Sequence, residues 1–222
     1  MPGPYESPYP DPPAPTELYQ SMAAVRPSTI GPDSGPNPPF PLRMSGKVTS
    51  GFGRGSSELG IPTANLPVDG PECASWLPSA DSGVYFGWAS VSLPDESGEF
   101  GDATDRWRVY PMVMSIGYNP YYKNTVRSAE VHVMRKIHVD LRGREMRLLI
   151  LEYVREEKDY PSLEALVCDI RIDIEVARRS LEREGWMVRE VDERGRLDGS
   201  WLVRKAEEGR EEKQGEAMGK SG

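Results

Sequence analysis

The sequence predicts a mainly β domain, a small barrel or sandwich followed by one long C-terminal helix, and two observations carry that prediction. Four runs rich in β-branched and aromatic residues, at 84–92, 109–117, 129–139 and 147–154, are separated by clusters of Gly, Pro, Asn and Asp. Several short strands with turn signals between them favour a barrel or a sandwich. From Leu163 the period changes: Leu163, Leu166, Val167, Ile170, Ile174, Ala177 and Leu181 recur at the i, i+3, i+4, i+7 spacing of a helix with one buried face. Ser162 stands where an N-cap belongs and Gly185 where a C′ stop belongs.

The two ends of the chain read differently from its middle. Thirteen of the 21 prolines precede Leu42, in a stretch with almost no apolar periodicity, so residues 1–41 are expected to form a disordered Pro-rich extension. That stretch has no apolar h-region and carries Glu6, Asp11 and Glu17, with only Arg26 as a cation before Arg43. Such a composition argues against secretory and mitochondrial presequences. No run approaches the ~20 apolar residues of a membrane span. An intracellular, cytoplasmic protein is expected. Residues 193–222 are expected to form a charged C-terminal tail, which after Arg204 alternates acidic and basic side chains and ends in Gly and Ser, the pattern of a solvated, frayed end. The folded domain is therefore expected over 42–192, with an acidic surface insertion at 94–108. A net charge of −8 lacks the basic footprint of a nucleic-acid binder. Cys73 and Cys168 fit neither a disulfide framework nor a zinc site and read as reduced thiols.

Between residues 46 and 65 lies the chain's densest glycine segment, GKVTSGFGRGSSELGIPTAN. Backbone N–H groups in such loops can approach an anion closely, so a phosphate is the first candidate ligand. Neither standard phosphate loop fits. Gly55 and Gly60 have Walker A spacing, but Ile61 and Pro62 stand where Lys and Ser/Thr are required. Gly51 and Gly53 lack the third glycine that opens a Rossmann helix, and Pro62 blocks a helix there. A glycine-rich turn without a ligand is the alternative. At the loop's exit, Thr63 and Asn65 put two hard, neutral oxygens on one face of an extended segment. That pair suits Mg²⁺ carried by a nucleotide, which takes only one or two protein oxygens, and it also suits simple turn chemistry.

Glu130 shares a strand face with His132 and Met134 by the two-residue period, and alone it reads more readily as a surface carboxylate at a strand start. His132 and His138 are the only histidines, and neither has a second ligand at zinc spacing. Tyr118, Tyr121 and Tyr122, broken by Pro120, are either loop packing or a flap over a ligand.

Taken in order, GFGRGSSELGIPTANLP, GVYFGWASV, SIGYNPYYKN, SAEVHVM and EYVREEKDYPSLEALVCDI resemble the motifs of the riboflavin kinases, over roughly residues 42–185. The resemblance implies a six-stranded antiparallel, Greek-key-like barrel with a long C-terminal helix. It implies ATP as co-substrate, riboflavin as acceptor and FMN and ADP as products. Glu130 would be the catalytic base. Gly51, Gly53, Arg54, Gly55, Ser56, Ser57, Thr63, His132, Val133 and Arg135 would bind ATP, and Thr63 with Asn65 would place Mg²⁺, with Zn²⁺ or Mn²⁺ as alternatives. Arg155, Lys158 and Tyr160 would line the flavin slot. Tyr118 stands where Trp is common, and Arg142 replaces an aromatic residue usual before that glycine, which puts an adenine-stacking role there in doubt. The remaining length leaves no room for an FAD synthetase domain, so a monofunctional enzyme that stops at FMN is expected; a monomer is expected as well. The rival reading is a barrel that binds flavin or nucleotide without catalysis.

Overall fold

The structure, a computed structural model, describes residues 16–49, 61–94, 106–118 and 127–203. In chain order these form α1 (Glu17–Ala24), β1 (Leu42–Lys47), β2 (Ala64–Leu66), β3 (Gly83–Leu93), β4 (Arg106–Tyr118), β5 (Arg127–Val133), β6 (Glu145–Glu156), α2 (Leu163–Leu181) and α3 (Ser200–Val203). The strands make one antiparallel sheet in the order β1-β6-β3-β4-β5-β2. β3, β4 and β5 form a meander and β6 returns beside β3, which is a Greek key. Thr49 N–H donates to Asn65 O at 2.9 Å, so the chain just beyond β1 bridges to β2 and the curled sheet approaches closure. The expected β-barrel with a C-terminal helix is what the chain forms.

Alternation along the strands sorts two cores onto the two faces of the sheet. Inside lie Met44, Ala89, Val91, Met112, Met114, Ala129, Val131, Leu148 and Ile150. Outside, Phe86, Trp88, Val113, Met134, Leu149 and Leu151 pack against Ala177 and Leu181 of α2 and against Trp186, Val188 and Leu202. The outer face is therefore no solvated surface. It is the floor on which the helix and the functional residues sit.

Several sequence expectations need correction. The chain from 16 to 41 is ordered: α1 packs on α2, Ile30 N–H donates to Ser180 Oγ at 3.0 Å, and Trp186 Nε1 donates to Pro32 O at 2.8 Å. Its hydrogen bonds and ion pairs, which leave no apolar period in the sequence, hold it down. Residues 193–203 are likewise packed, with Leu202 fully buried and Ser90 Oγ donating to Leu202 O at 2.7 Å. β5 stops at Val133 and not at 139, because Met134 N–H already turns back to Pro111 O and Ile137, Val139 and Leu141 pack on the inner core as irregular chain. Residues 106–108, expected in the acidic insertion, open β4; residues 95–105 lie outside the described residues.

The helix was legible, but its buried stripe was not. Ser162 Oγ accepts from Ala165 N–H at 3.2 Å, the predicted N-cap, a contact worth about 1 kcal/mol. Ala177 and Leu181 are buried as expected, yet Leu163 is exposed, and Cys168, Asp169, Ile172, Asp173 and Val176 are buried instead. A helix covered by the barrel on one side and by the N-terminal arm on another has no single apolar stripe. The helix ends at Leu181 with Glu182 as C-cap, so Gly185 is no C′ stop. An ideal Cβ on Gly185 would lie 2.3 Å from Asp33 O, and this glycine lets the arm cross backbone to backbone.

Candidate active site

A cavity of about 560 Å³ opens between the outer face of the sheet and α2. That size suits a small organic ligand. Ile61, Val84, Val113, Met114, Leu166 and Ile170 make an apolar lining, while Thr63, Ser115, Glu130 and His132 bring polar groups from the β2 approach, β4 and β5. Arg155, Glu157, Lys158, Asp159, Tyr160 and Asp173 close the far side.

Cross-strand register explains why distant sequence motifs meet here. Asn65 of β2 pairs with Glu130 of β5, which pairs in turn with Ser115 of β4. Ala64, Leu66, Ala129 and Val131 point into the inner core, so Thr63, Asn65, Glu130 and His132 share the outer face by alternation. The Thr63 hydroxyl hydrogen-bonds the Glu130 carboxylate. Burial pushes Glu130 above the ordinary carboxylate range, and that hydrogen bond pulls part of the way back. Glu157 faces the same space; burial first, and the like charge of Glu130 second, raise its pKa. His132 Nδ1 donates to Pro62 O at 2.9 Å, and burial lowers its pKa, so the neutral ring pins the chain just before Thr63.

The flavin-slot candidates are held by two carboxylates of α2. Arg155 makes a bidentate pair with Asp173, Nε to Oδ2 at 3.0 Å and Nη2 to Oδ2 at 2.7 Å with Nε also 3.1 Å from Oδ1. Lys158 Nζ and Tyr160 Oη each reach Asp169 Oδ2 at 2.7 Å. Burial, then the hydrogen bond to Asp169, raises the Tyr160 phenol well above its usual value, so it remains a donor. The sequence points to Arg155, Lys158 and Tyr160 as flavin-slot candidates but not to the acids that hold them. The available signal was a pair of acids, Asp169 and Asp173, four residues apart inside an otherwise amphipathic helix.

Other candidates fall elsewhere. Val133 points into the inner core, leaving only its backbone for a ligand, and Arg135 is exposed in the turn after β5. Arg142 is exposed and held by Asp140, Nε to Oδ2 at 2.8 Å. Tyr118 lies against the Arg127 guanidinium, 5.2 Å from ring centroid to Cζ. Gly51, Gly53, Arg54, Gly55, Ser56 and Ser57 lie outside the described residues, as do Tyr121 and Tyr122. No group of three or more His, Cys, Asp or Glu among the described residues could hold a metal by itself. No helix of the described residues is long and apolar enough to cross a membrane.

Comparison with known proteins agrees with this geometry. The riboflavin kinase family model matches residues 38–181. The chain is 56% identical over 194 residues to a riboflavin kinase of Pyricularia oryzae, across 82% of this chain and 96% of that one. It is 49% identical to a riboflavin kinase of Neurospora crassa, across 81% of this chain and 97% of that one. The crystal structure of riboflavin kinase from Trypanosoma brucei superposes with a TM-score of 0.51 at 25% identity, covering 68% of this chain and 85% of that one. On the family match and these relatives, the chain belongs to the riboflavin kinase family.

Proposed function

We propose that the protein transfers the γ-phosphoryl group of ATP to the 5′-hydroxyl of riboflavin, giving FMN and ADP, with Glu130 as the base. The observation that carries this reading is the half-buried Glu130 carboxylate, bonded to Thr63 in a largely apolar cavity. A carboxylate of reference pKa ~4.3 is too weak to ionise an alcohol outright. Burial makes Glu130 a stronger base than that. In a loose phosphoryl-transfer transition state, positioning and charge stabilisation supply most of the rate. Glu130 therefore orients the hydroxyl along the line to the γ-phosphorus and takes its proton late, as the new P–O bond forms and the bond to ADP breaks.

Thr63 and Asn65 fit a hard divalent cation: both are neutral oxygen donors, two residues apart on the outer face beside Glu130. Bound there with ATP, Mg²⁺, or Zn²⁺ or Mn²⁺ in its place, supplies positive charge along the phosphates. In this reading Gly51, Gly53, Arg54, Gly55, Ser56 and Ser57 cradle those phosphates, a reading supported by Ile61 and Thr63, which follow them in the sequence and line the cavity. Arg155, Lys158 and Tyr160 then face the flavin. The protein acts as a cytoplasmic monomer on these two substrates.

Incubation with riboflavin, ATP and Mg²⁺ should yield FMN on chromatography, and no FMN overturns the activity. Glu130→Gln should lower kcat by about 10²- to 10⁴-fold. Riboflavin binding, followed by flavin fluorescence, should stay close to that of the unaltered protein. A Gln variant with near-native kcat removes Glu130 from the role of base.

A further inference from the structure

We propose that Arg26, in the N-terminal arm outside the family match, is a positioning residue for the flavin side of the site. It does not line the cavity. It acts through the two carboxylates that do the holding.

α1 presents Tyr19, Met22 and Ala23 along its more covered face, and Arg26 follows just past the Val25 C-cap. The Arg26 guanidinium spans both α2 acids: Nη1 lies 2.9 Å from Asp169 Oδ1, and Nη2 lies 2.6 Å from Asp173 Oδ1. The remaining oxygens face the cavity side. Asp169 Oδ2 takes Lys158, Tyr160 and, at 3.3 Å, Arg155, and Asp173 Oδ2 takes Arg155. Asp169 thus divides its oxygens between the arm and the wall of the site, while Asp173 Oδ1 is shared by Arg26 and by Arg155 Nε, 3.1 Å away, and its Oδ2 belongs to the wall alone. Because a planar guanidinium bonds through a rigid fork, it fixes the rotation of both carboxylates at once.

Asp169 and Asp173 are 1% and 2% exposed, so neither can turn to water if Arg26 is lost. Without Arg26, Asp169 Oδ1 loses its ion-pair partner and Asp173 Oδ1 keeps only Arg155, so Arg155 and Lys158, which still balance the two acids, would be drawn toward the vacated oxygens and Asp169 Oδ2 would rotate away from Tyr160. Small displacements of positioning groups are costly to binding and turnover. The arm therefore tunes the flavin wall from behind, without touching substrate.

The proposal rests on the reading of Arg155, Lys158 and Tyr160 as the flavin wall, and the test separates the two. In the full-length chain, Arg26→Ala should raise the riboflavin KM and dissociation constant about tenfold or more. The ATP KM should stay unchanged, and Arg26→Lys should recover part of the riboflavin affinity. If Arg26→Ala does not fold, Arg26→Gln, which is shorter and keeps one amide donor group without the charge, is read the same way. An unchanged riboflavin KM in the variant that folds overturns the proposal, as does a parallel rise in both KM values, which would mark a general loss of structure. Lys158→Met and Tyr160→Phe probe the wall directly. If they weaken riboflavin binding while Arg26 variants do not, only the role of Arg26 fails; if they have no effect, the wall reading fails and this proposal with it.

Discussion

Asp169 shows how a single residue ties the fold to the site. Burial alone would raise its pKa, but Lys158, Tyr160 and the Arg155 charge together hold it below the ordinary value of 3.8. A carboxyl group depressed in the folded state adds stability that is fully present above its unfolded pKa and is lost as pH falls through the folded one. Asp169→Asn should therefore destabilise the protein at pH 7 by about 3 kcal/mol, the low end for a broken buried pair, because Lys158 is 45% exposed and can turn to water. Urea denaturation of both proteins should show that gap narrowing as pH drops below about 4. A gap that does not change with pH would remove the charge from the explanation. At this scale the sequence pointed to the candidate site groups better than to their supports. Glu130, Thr63 and Asn65 sit in recognisable motifs, whereas Asp169 and Asp173 look like ordinary helix acids until the arm and β6 are folded onto them.

At the scale of elements, long strands and the capped helix were readable because their patterns are local. β3, β4 and β6 each satisfy alternation or β-propensity over many residues, and Ser162 caps α2 through its own neighbours. β1 and β2 were not readable residue by residue. β2 has three residues, and its strand character comes from pairing with Ala129, Glu130 and Val131. Gly185 is the instructive misreading, a glycine in C′ position by spacing whose role is set by contact with residues 150 positions earlier. Gly185→Ala would drive a methyl group onto Asp33 O and Ser34, so it should cost about 1–3 kcal/mol, as overpacked sites do. It should also loosen the arm. Limited proteolysis between residues 26 and 41 should speed up in the variant, and an unchanged cleavage rate with unchanged urea midpoint would contradict the contact.

Across the described molecule, residues 16–41 and 193–203 wrap the outer core. The N-terminal arm runs along α2 to Trp186, and the C-terminal segment lays Leu197, Trp201, Leu202 and Val203 against the other end of that core. Arg147 fastens the second wrap: it stacks 4.2 Å from the Trp107 ring centroid and donates to Trp201 O at 3.1 Å. A chain ending at residue 192, the boundary the sequence suggested, loses the fully buried Leu202 among others. Losing that side chain alone should cost about 2–5 kcal/mol. Thermal denaturation should show a clearly lower Tm for the shortened chain. An unaltered Tm would return residues 193–203 to the status of a loose tail.

By itself the sequence determined the β-rich class, the position and cap of the long helix, and the ordered motifs that carry the family and its chemistry. These are legible because periodicity, capping and motif order are properties of neighbours along the chain. Only the tertiary structure decided how the sheet curls, which face of α2 is buried, and that residues 16–41 and 193–203 belong to the fold. It also placed a buried acid pair behind the flavin-slot candidates. Those features depend on ion pairs and backbone crossings between residues more than a hundred positions apart, such as Arg26 with Asp169 and Gly185 with Asp33. No local pattern records such pairs, because each partner satisfies its charge or its space only once the chain has brought the other beside it.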